Sequence, residues 1–481
     1  MELKRLFARK DIKKLIEEAG TGNNLKRTLT TTNLVALGIG AIVGTGIFVI
    51  TGQAAAEYAG PALTISFVIS ALACVFAGLC YAELAAMIPV SGSVYSYSYA
   101  TIGEFIAWFI GWDLILEYMF ACSTVAVGWS GYMNNLLASI GFIIPPHLAQ
   151  STLEHTKDGW FFTGSIINFP AMFIIAILTT FHLLGTKNSA KLNNIMVVVK
   201  VAVVLLFIGF GLSYIDTTNW IPYIPENTGE FGHFGWSGIF RGAAVVFFAY
   251  IGFDALSTTA QEAINPQKTM PRGILISLAI CVVLYIAVTA IMTGIVPYYE
   301  LGVDAPVALA IDRTDGALSW ISPLIKLGAI VGMTSVLLVM LLGQARIYYA
   351  ISRDHLLPSF LCKVTKKGVP RNAQIIAGVI SGLVAGIFPL HSLAEMVSVG
   401  TLLAFAIVCF AIIFLRKAQP DLPRPFKVPL VPFIPIMGAT ICLIQIAALP
   451  MTTILRLVGW AAIGIIVYLI YGIRNSKLNK M

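Results

Sequence analysis

The sequence predicts an all-α polytopic membrane protein of 12 transmembrane helices. Spans 1 to 5 and 6 to 10 are read as a five-plus-five inverted repeat with broken helices 1 and 6, and two accessory helices follow. Three observations lead there. The 481 residues are 58% hydrophobic and only 11% charged, with a mean hydropathy of +0.86, whereas soluble chains carry about 25% charged residues. Apolar runs of roughly 20 residues, the length that crosses a bilayer, recur along the whole chain. Two of those runs, five spans apart, are interrupted near their middles, which is the sequence sign of a binding site between inverted repeats.

The elements follow in order. Residues 1–33 form a charged, amphipathic segment without the apolar core and cleavage site of a signal peptide, so it is expected to stay on the cytoplasmic side. Apolar spans fall at 34–57, 62–88, 99–127, 170–185 and 191–213, making the first repeat, 34–213. The second repeat, 239–415, holds spans at 239–262, 273–296, 320–350, 372–388 and 391–415. Accessory spans at 428–449 and 452–472 occupy 428–472, and 473–481 form a cytoplasmic tail. The third and eighth runs are long enough to tilt or to extend past the membrane. The two repeats share no clear residue identity, so the repeat rests on spacing alone.

Orientation comes from the basic residues. Eight of the 31 Lys and Arg lie in residues 1–33, and most of the others fall in loops that this count places on the same side. The opposite loops hold only Lys157 and Arg313. Both termini are therefore expected in the cytoplasm, with the chain in the cell membrane. The net charge of +8 is spread over these loops without a basic stripe, which argues against nucleic acid as a partner. Seven scattered cysteines suggest neither a disulfide framework nor a metal site.

The stretch "GIGAIVGTGIFV", residues 38–49, puts four glycines inside span 1. Each weakens a helix by roughly 1 kcal/mol relative to alanine. A dinucleotide loop would need G-x-G-x-x-G between strand and helix, and this pattern lacks it. Close packing through Gly40 and Gly44, a GxxxG pair, is one reading. The other is a broken helix whose freed amides and carbonyls line a polar cavity. Span 6, "VVFFAYIGFDALSTTAQE", favours the second, because Gly252 and Asp254 sit near its middle and an ionised aspartate there needs a partner or water.

Four stretches together resemble the amino acid–polyamine–organocation superfamily, and within it bacterial members of the cationic amino acid transporter family. They are "GIGAIVGTGIF", "YAELAAMIPVSGSVYSYSYATIGEFIAWFIGWDLILEY", "FFAYIGFDALST" and "GQARIYYAISRDHLLP", and the likeness runs from about residue 25 to 472. The resemblance implies the five-plus-five fold and an amino acid substrate. It implies that backbone amides around Gly44, Thr45 and Gly46 hold the substrate carboxylate, as unsatisfied N–H groups at a helix start hold anions. It implies that carbonyls of Ile42, Phe248 and Ile251 take the amino group. Phe248 and Phe253 become candidates for gating the pocket from outside, against the plainer reading of core packing.

Other intramembrane charges are weighed in the same way. Asp113 and Glu117 stand four apart and share a helix face. Glu117 is a candidate for the pathway, with a protonated structural acid as the alternative. Asp254 joins the substrate-site set. Glu83 reads as a structural link to inner-loop bases, and Lys326 as a snorkelling end residue. Arg353 and Asp354 read as a gate, a brace or a solvated pair. Among spans, the segment "MTSVLLVMLLG", 333–343, is apolar, and Met340 is placed against the substrate side chain.

Lys200 lies deep in "NIMVVVKVAVVLLFIGFG" with no other charge nearby in sequence. An ionised lysine at a bilayer centre costs about 2.5–3.5 kcal/mol on insertion scales. It is either paired for structure alone or gains and loses a proton during function. In proton-dependent relatives within the resemblance, a span 5 lysine takes the place of a bound cation, which makes Lys200 the proton-coupling candidate, bonding carbonyls near Ala41 to Gly44. The chain is expected to be no enzyme and to need no cofactor: its six histidines lack metal-ligand spacing, "GWSG" is followed by tyrosine rather than completing G-x-S-x-G, and no phosphate-binding loop is present. The expected function is secondary active, proton-coupled uptake of neutral or hydrophobic amino acids. A cationic amino acid transporter or exchanger, and an amino acid sensor on the same fold, stand as alternatives. The lipid bilayer is a partner, and a small membrane subunit is left open.

Overall fold

The computed structural model describes residues 9–10, 29–88, 93–156, 159–185, 187–314, 316–365 and 368–477. Most of the 1–33 segment therefore lies outside the described residues, as do Lys157, Lys366 and the last four residues of the tail. Among the described residues, eight helices are long and apolar enough to cross a membrane, and four shorter apolar helices accompany them. The molecule is a polytopic helical membrane protein.

Helix α1, Thr31–Ile42, opens with Thr30 as its cap, the hydroxyl oxygen accepting the Asn33 amide. It stops at Val43, whose ψ of 102° is extended, and a helical stretch resumes at Gly46 and runs to Ala62 through π and 3-10 turns. Helix α2, Leu63–Met87, continues from it. The third expected span, 99–127, is corrected. A short helix α3, Ser93–Thr101, is separate, and α4 runs over Glu104–Ser139. Gly103, at φ 136°, parts the two, a conformation closed to most side chains. Beyond α4 lie an antiparallel hairpin, β1 Leu153–Thr156 with β2 Gly159–Phe162, and then α5, Phe169–Leu184, capped by Asn168. Helix α6 spans Lys187–Gly211.

The sixth expected span, 239–262, is also not one helix. It comprises α7, Gly235–Val246, a 3-10 turn Phe247–Tyr250, an extended Ile251, Gly252 at φ 125°, and a second 3-10 stretch Asp254–Glu262. Then follow α8, Pro266–Ile295, α9, Pro306–Asp312, and α10, Ser322–Arg353. The chain closes with α11, Arg371–Ile387, α12, Leu390–Ala418, α13, Phe433–Ala448, and α14, Met451–Val467.

Helix α10 packs along α4 and α6, α8 along α2 and α1, and α12 along α4 and α13. Lipid tails are as apolar as leucine, so such contacts depend on close approach rather than on exclusion of water. Small residues supply it. A Cβ on Gly328 would strike Val203, and one on Gly378 would strike Thr179. The segment leading into α1 pairs with the segment leaving the second 3-10 stretch: the Leu29 amide donates to the Glu262 carbonyl at 3.0 Å, and the Ile264 amide to the Leu29 carbonyl at 2.8 Å.

One end of the bundle gathers the basic loops. Glu83, fully buried, accepts from Arg416 Nη2 at 2.6 Å and from the Val428 amide at 2.7 Å, with Arg424 Nε 3.4 Å away. Glu83 thus ties α2 to the loop after α12, in keeping with its reading as a structural link. At the same end Asp354 does not pair with Arg353. It takes Lys10 and the Tyr95 hydroxyl instead. Lys326 sits 3.8 Å from Asp312.

Candidate functional site

The two breaks meet in the middle of the bundle. The glycines allow it: a Cβ on Gly46 would collide with the Ala249 backbone, and one on Gly252 with the Ala41 carbonyl. Both readings of the span 1 glycines therefore hold at once, since the helix parts there and the parted ends pack closely. Val336 of α10 covers Gly44, whose added Cβ would lie 2.7 Å from Cγ2.

Breaking α1 strands its last carbonyls, and buried carbonyls require donors. Lys200 supplies them. It is 0% exposed, and its Nζ donates to the carbonyls of Gly40 at 2.6 Å and Val43 at 2.8 Å and to Ser335 Oγ at 2.7 Å. One ammonium group thus joins α6, the end of α1 and α10. Of these carbonyls, Val43 lies within the expected stretch from Ala41 to Gly44 and Gly40 one residue before it. The Ile42 carbonyl lies 2.8 Å from the Tyr285 hydroxyl, which also reaches the Ala249 carbonyl at 3.0 Å. Tyr285 of α8 therefore bridges the two breaks.

On the resumed side, the Gly44 carbonyl accepts the Ile47 and Phe48 amides, both at 3.2 Å. The start of a helix leaves its first N–H groups without intrahelical partners, and Thr45 and Gly46 stand there. Thr45 Oγ1 is buried and has no hydrogen-bond partner among the described residues. The break thus offers an unfilled polar position beside free amides.

Asp254 is turned inward on its own chain. One carboxylate oxygen accepts the Gly252 amide at 3.1 Å, and the other faces the Tyr118 hydroxyl at 3.4 Å. It caps the unwound turn. The Phe248 carbonyl accepts the Ile251 amide at 3.2 Å, and the Phe248 side chain stays buried on the 3-10 turn before the break. Phe253 follows the break toward the basic end and packs in an aromatic cluster with Tyr81 and Phe405, at centroid distances of 5.8 and 5.1 Å. Of its two readings, gate and core packing, this arrangement fits core packing: Tyr81 meets both phenylalanines edge to face, and Phe253 lies tilted against Phe405.

Glu117 is buried on α4 beside Thr401 of α12. Asp113, one turn earlier, is buried with neither carboxylate oxygen bonded among the described residues. Met340 is buried on α10, one turn after Val336 and so on the same face as the residue that covers Gly44. Sequence reading missed Tyr285, Ser335 and Tyr118. Each is one hydroxyl within an apolar span, with other polar residues close by (Glu117 beside Tyr118, Thr334 beside Ser335, Thr289 one turn after Tyr285), so the sequence alone does not single it out. It also missed Arg241, whose Nη2 donates to Glu395 at 2.8 Å across α7 and α12 at the end opposite the basic loops.

Comparison with known proteins places this architecture. The chain is 47% identical over 477 residues to the branched-chain amino acid permease BcaP of Bacillus subtilis (strain 168), covering 99% of each. It is 44% identical over 476 residues to the methylthioribose transporter of the same organism, again covering 99% of each. It is 37% identical over 474 residues to BcaP of Lactococcus lactis subsp. cremoris (strain MG1363), covering 98% of this chain and 99% of the relative. The amino acid permease family matches residues 29–473. These are transporters rather than enzymes. With broken helices meeting at a buried lysine and a match over nearly its full length, this chain belongs to the amino acid permease family.

Proposed function

We propose that the protein is a proton-coupled importer of neutral, hydrophobic amino acids that works by alternating access. The observation that carries this reading is the Lys200 ammonium on the Gly40 and Val43 carbonyls and Ser335. Loss of its proton removes one of the three N–H donors and the positive charge, and so weakens the bonds that hold the end of α1 to α6 and α10. Proton uptake restores them. The site needs no second cation, because the ammonium already fills the place between α1 and α10.

The substrate carboxylate docks on the amides of Gly44, Thr45 and Gly46, with the Thr45 hydroxyl as a further donor. The amino group takes carbonyls of the two breaks, Ile42, Phe248 and Ile251. Phe248 covers the pocket from the side opposite the basic end. The side chain lies against α10 at Val336 and Met340, an apolar wall without an acid, which favours leucine, isoleucine, valine or methionine over arginine. The relatives named for branched-chain amino acids agree with that wall. Glu117 and Asp254 flank the site, with Asp254 bracing the break. Twelve spans, an inverted repeat over 34–213 and 239–415, accessory helices over 428–472 and cytoplasmic termini at the cell membrane complete the reading. Its support is the meeting of the two breaks and the charge asymmetry of the loops.

Purified protein in liposomes tests it. Leucine uptake should rise with an inward proton gradient, ignore sodium, and vanish in Lys200→Ala while leucine binding is partly retained. Sodium-stimulated uptake, or undiminished gradient-driven accumulation by Lys200→Ala, overturns the coupling. Arginine or methylthioribose uptake exceeding that of leucine overturns the substrate. Leucine binding without any uptake by the unaltered protein favours the sensor.

A further inference from the structure

A cavity lies away from the two breaks, between α4, α12 and α14 and roofed by β2. It has a volume of about 300 Å³. Its walls are Leu116 and Phe120 of α4, Met396 of α12 and Ile463 of α14. A Cβ on Gly459, which lines the cavity, would meet nothing within 4 Å, so this glycine leaves the space open. Leu455, Val458 and Ile466 on α14 are exposed and flank it, so the cavity opens toward the apolar part of the bilayer.

Two polar groups interrupt the apolar lining. Ser392, 4% exposed, has a buried hydroxyl with no hydrogen-bond partner among the described residues. Arg456 lies at the roof with its guanidinium 5.0 Å from the Trp160 ring centroid. It makes no hydrogen bond or ion pair among the described residues. The carboxylate near it, Glu395, is already bonded by Arg241 at 2.8 Å and by the Thr453 hydroxyl at 2.6 Å. An apolar slot open to lipid, lined by a guanidinium and a hydroxyl that have no hydrogen-bond partner among the described residues, matches an amphipathic anion. The spare donors fit a phosphate, and the slot fits an acyl chain.

We propose that this cavity binds an anionic phospholipid from the surrounding bilayer, with its phosphate on Arg456 and Ser392 and one acyl chain between α4, α12 and α14. The lipid would brace α14 and the hairpin against α12, which also carries Glu395. A volume of about 300 Å³ holds less than one turn of a helix of about 10 Å diameter and 5.4 Å pitch, so a membrane-spanning partner does not fill it.

Native mass spectrometry of the purified full chain, titrated with phosphatidylglycerol or with phosphatidylcholine of equal chain length, tests this. Phosphatidylglycerol should be retained in preference. Arg456→Gln should weaken its retention about tenfold, the worth of a lost charge-assisted pair. Gly459→Phe should fill the slot and lower retention of both lipids. Circular dichroism and leucine binding show whether each variant is folded. Equal retention of the two lipids by the unaltered protein, or full phosphatidylglycerol retention by folded Arg456→Gln, overturns the proposal. A photo-crosslinker at Leu393 that captures protein rather than lipid in native membranes does so as well.

Discussion

Gly252 shows how one residue sets the geometry of the site. Its φ of 125° and its contact with the Ala41 carbonyl leave no room for a side chain. Gly252→Ala should cost about 1–2 kcal/mol in backbone strain alone, and more from the clash. Its unfolding midpoint in detergent should fall, and leucine binding should weaken. Gly44 differs, because its obstacle is the end of the Val336 side chain. Gly44→Ala should impair uptake, and the double variant with Val336→Ala should recover part of it. Recovery absent from that cycle would show that the backbone freedom of Gly44, and not its contact, is what matters. At Met340, a shorter side chain enlarges the proposed pocket. Met340→Ala should shift the preference measured in competition uptake from valine toward longer substrates.

At the scale of elements, the bundle is tied at both ends by charge. Glu83 joins α2 to the last turn of α12 through Arg416 and to the loop beyond it through Arg424. Removing one partner of a buried pair leaves the other uncompensated, at about 3–5 kcal/mol. Glu83→Gln should therefore lower the unfolding midpoint and expose the 419–432 loop to limited proteolysis. Unchanged proteolysis would mean that the Val428 amide alone holds the loop. At the other end, Arg241 on Glu395 joins α7 to α12. Helix α7 leads directly into the second break, so this bond anchors against α12 the element that precedes the break.

At the scale of the molecule, the orientation rests on where the basic residues lie. Lys157 and Lys366, natural places for labels, fall outside the described residues, and Thr152 and Lys427 serve in their place. A cysteine at Lys427 should react with an impermeant thiol reagent only from the cytoplasm, and one at Thr152 only from outside. Labelling of Thr152 from the cytoplasm would reverse the span count. The native cysteines are buried apart from the half-buried Cys362, so a background free of Cys362 suffices.

The sequence by itself determined that the chain is helical and membrane-embedded, where most helices start and stop, and that spans 1 and 6 are interrupted. Those features are local: apolar length, glycine content and loop charge are written in consecutive residues. It also singled out Lys200, since a lone charge in an apolar run stands out without any partner in view. Only the tertiary structure decided what Lys200 bonds, because Gly40, Val43 and Ser335 lie more than 130 positions away and offer mainly backbone atoms that no residue identity reveals. It likewise placed Phe253 in the core with Tyr81 and Phe405, made Asp254 a cap on its own turn, and brought Lys10 rather than Arg353 to Asp354. Partner choice of that kind is set by how helices cross, and the crossing depends on contacts between distant segments that a linear pattern does not encode.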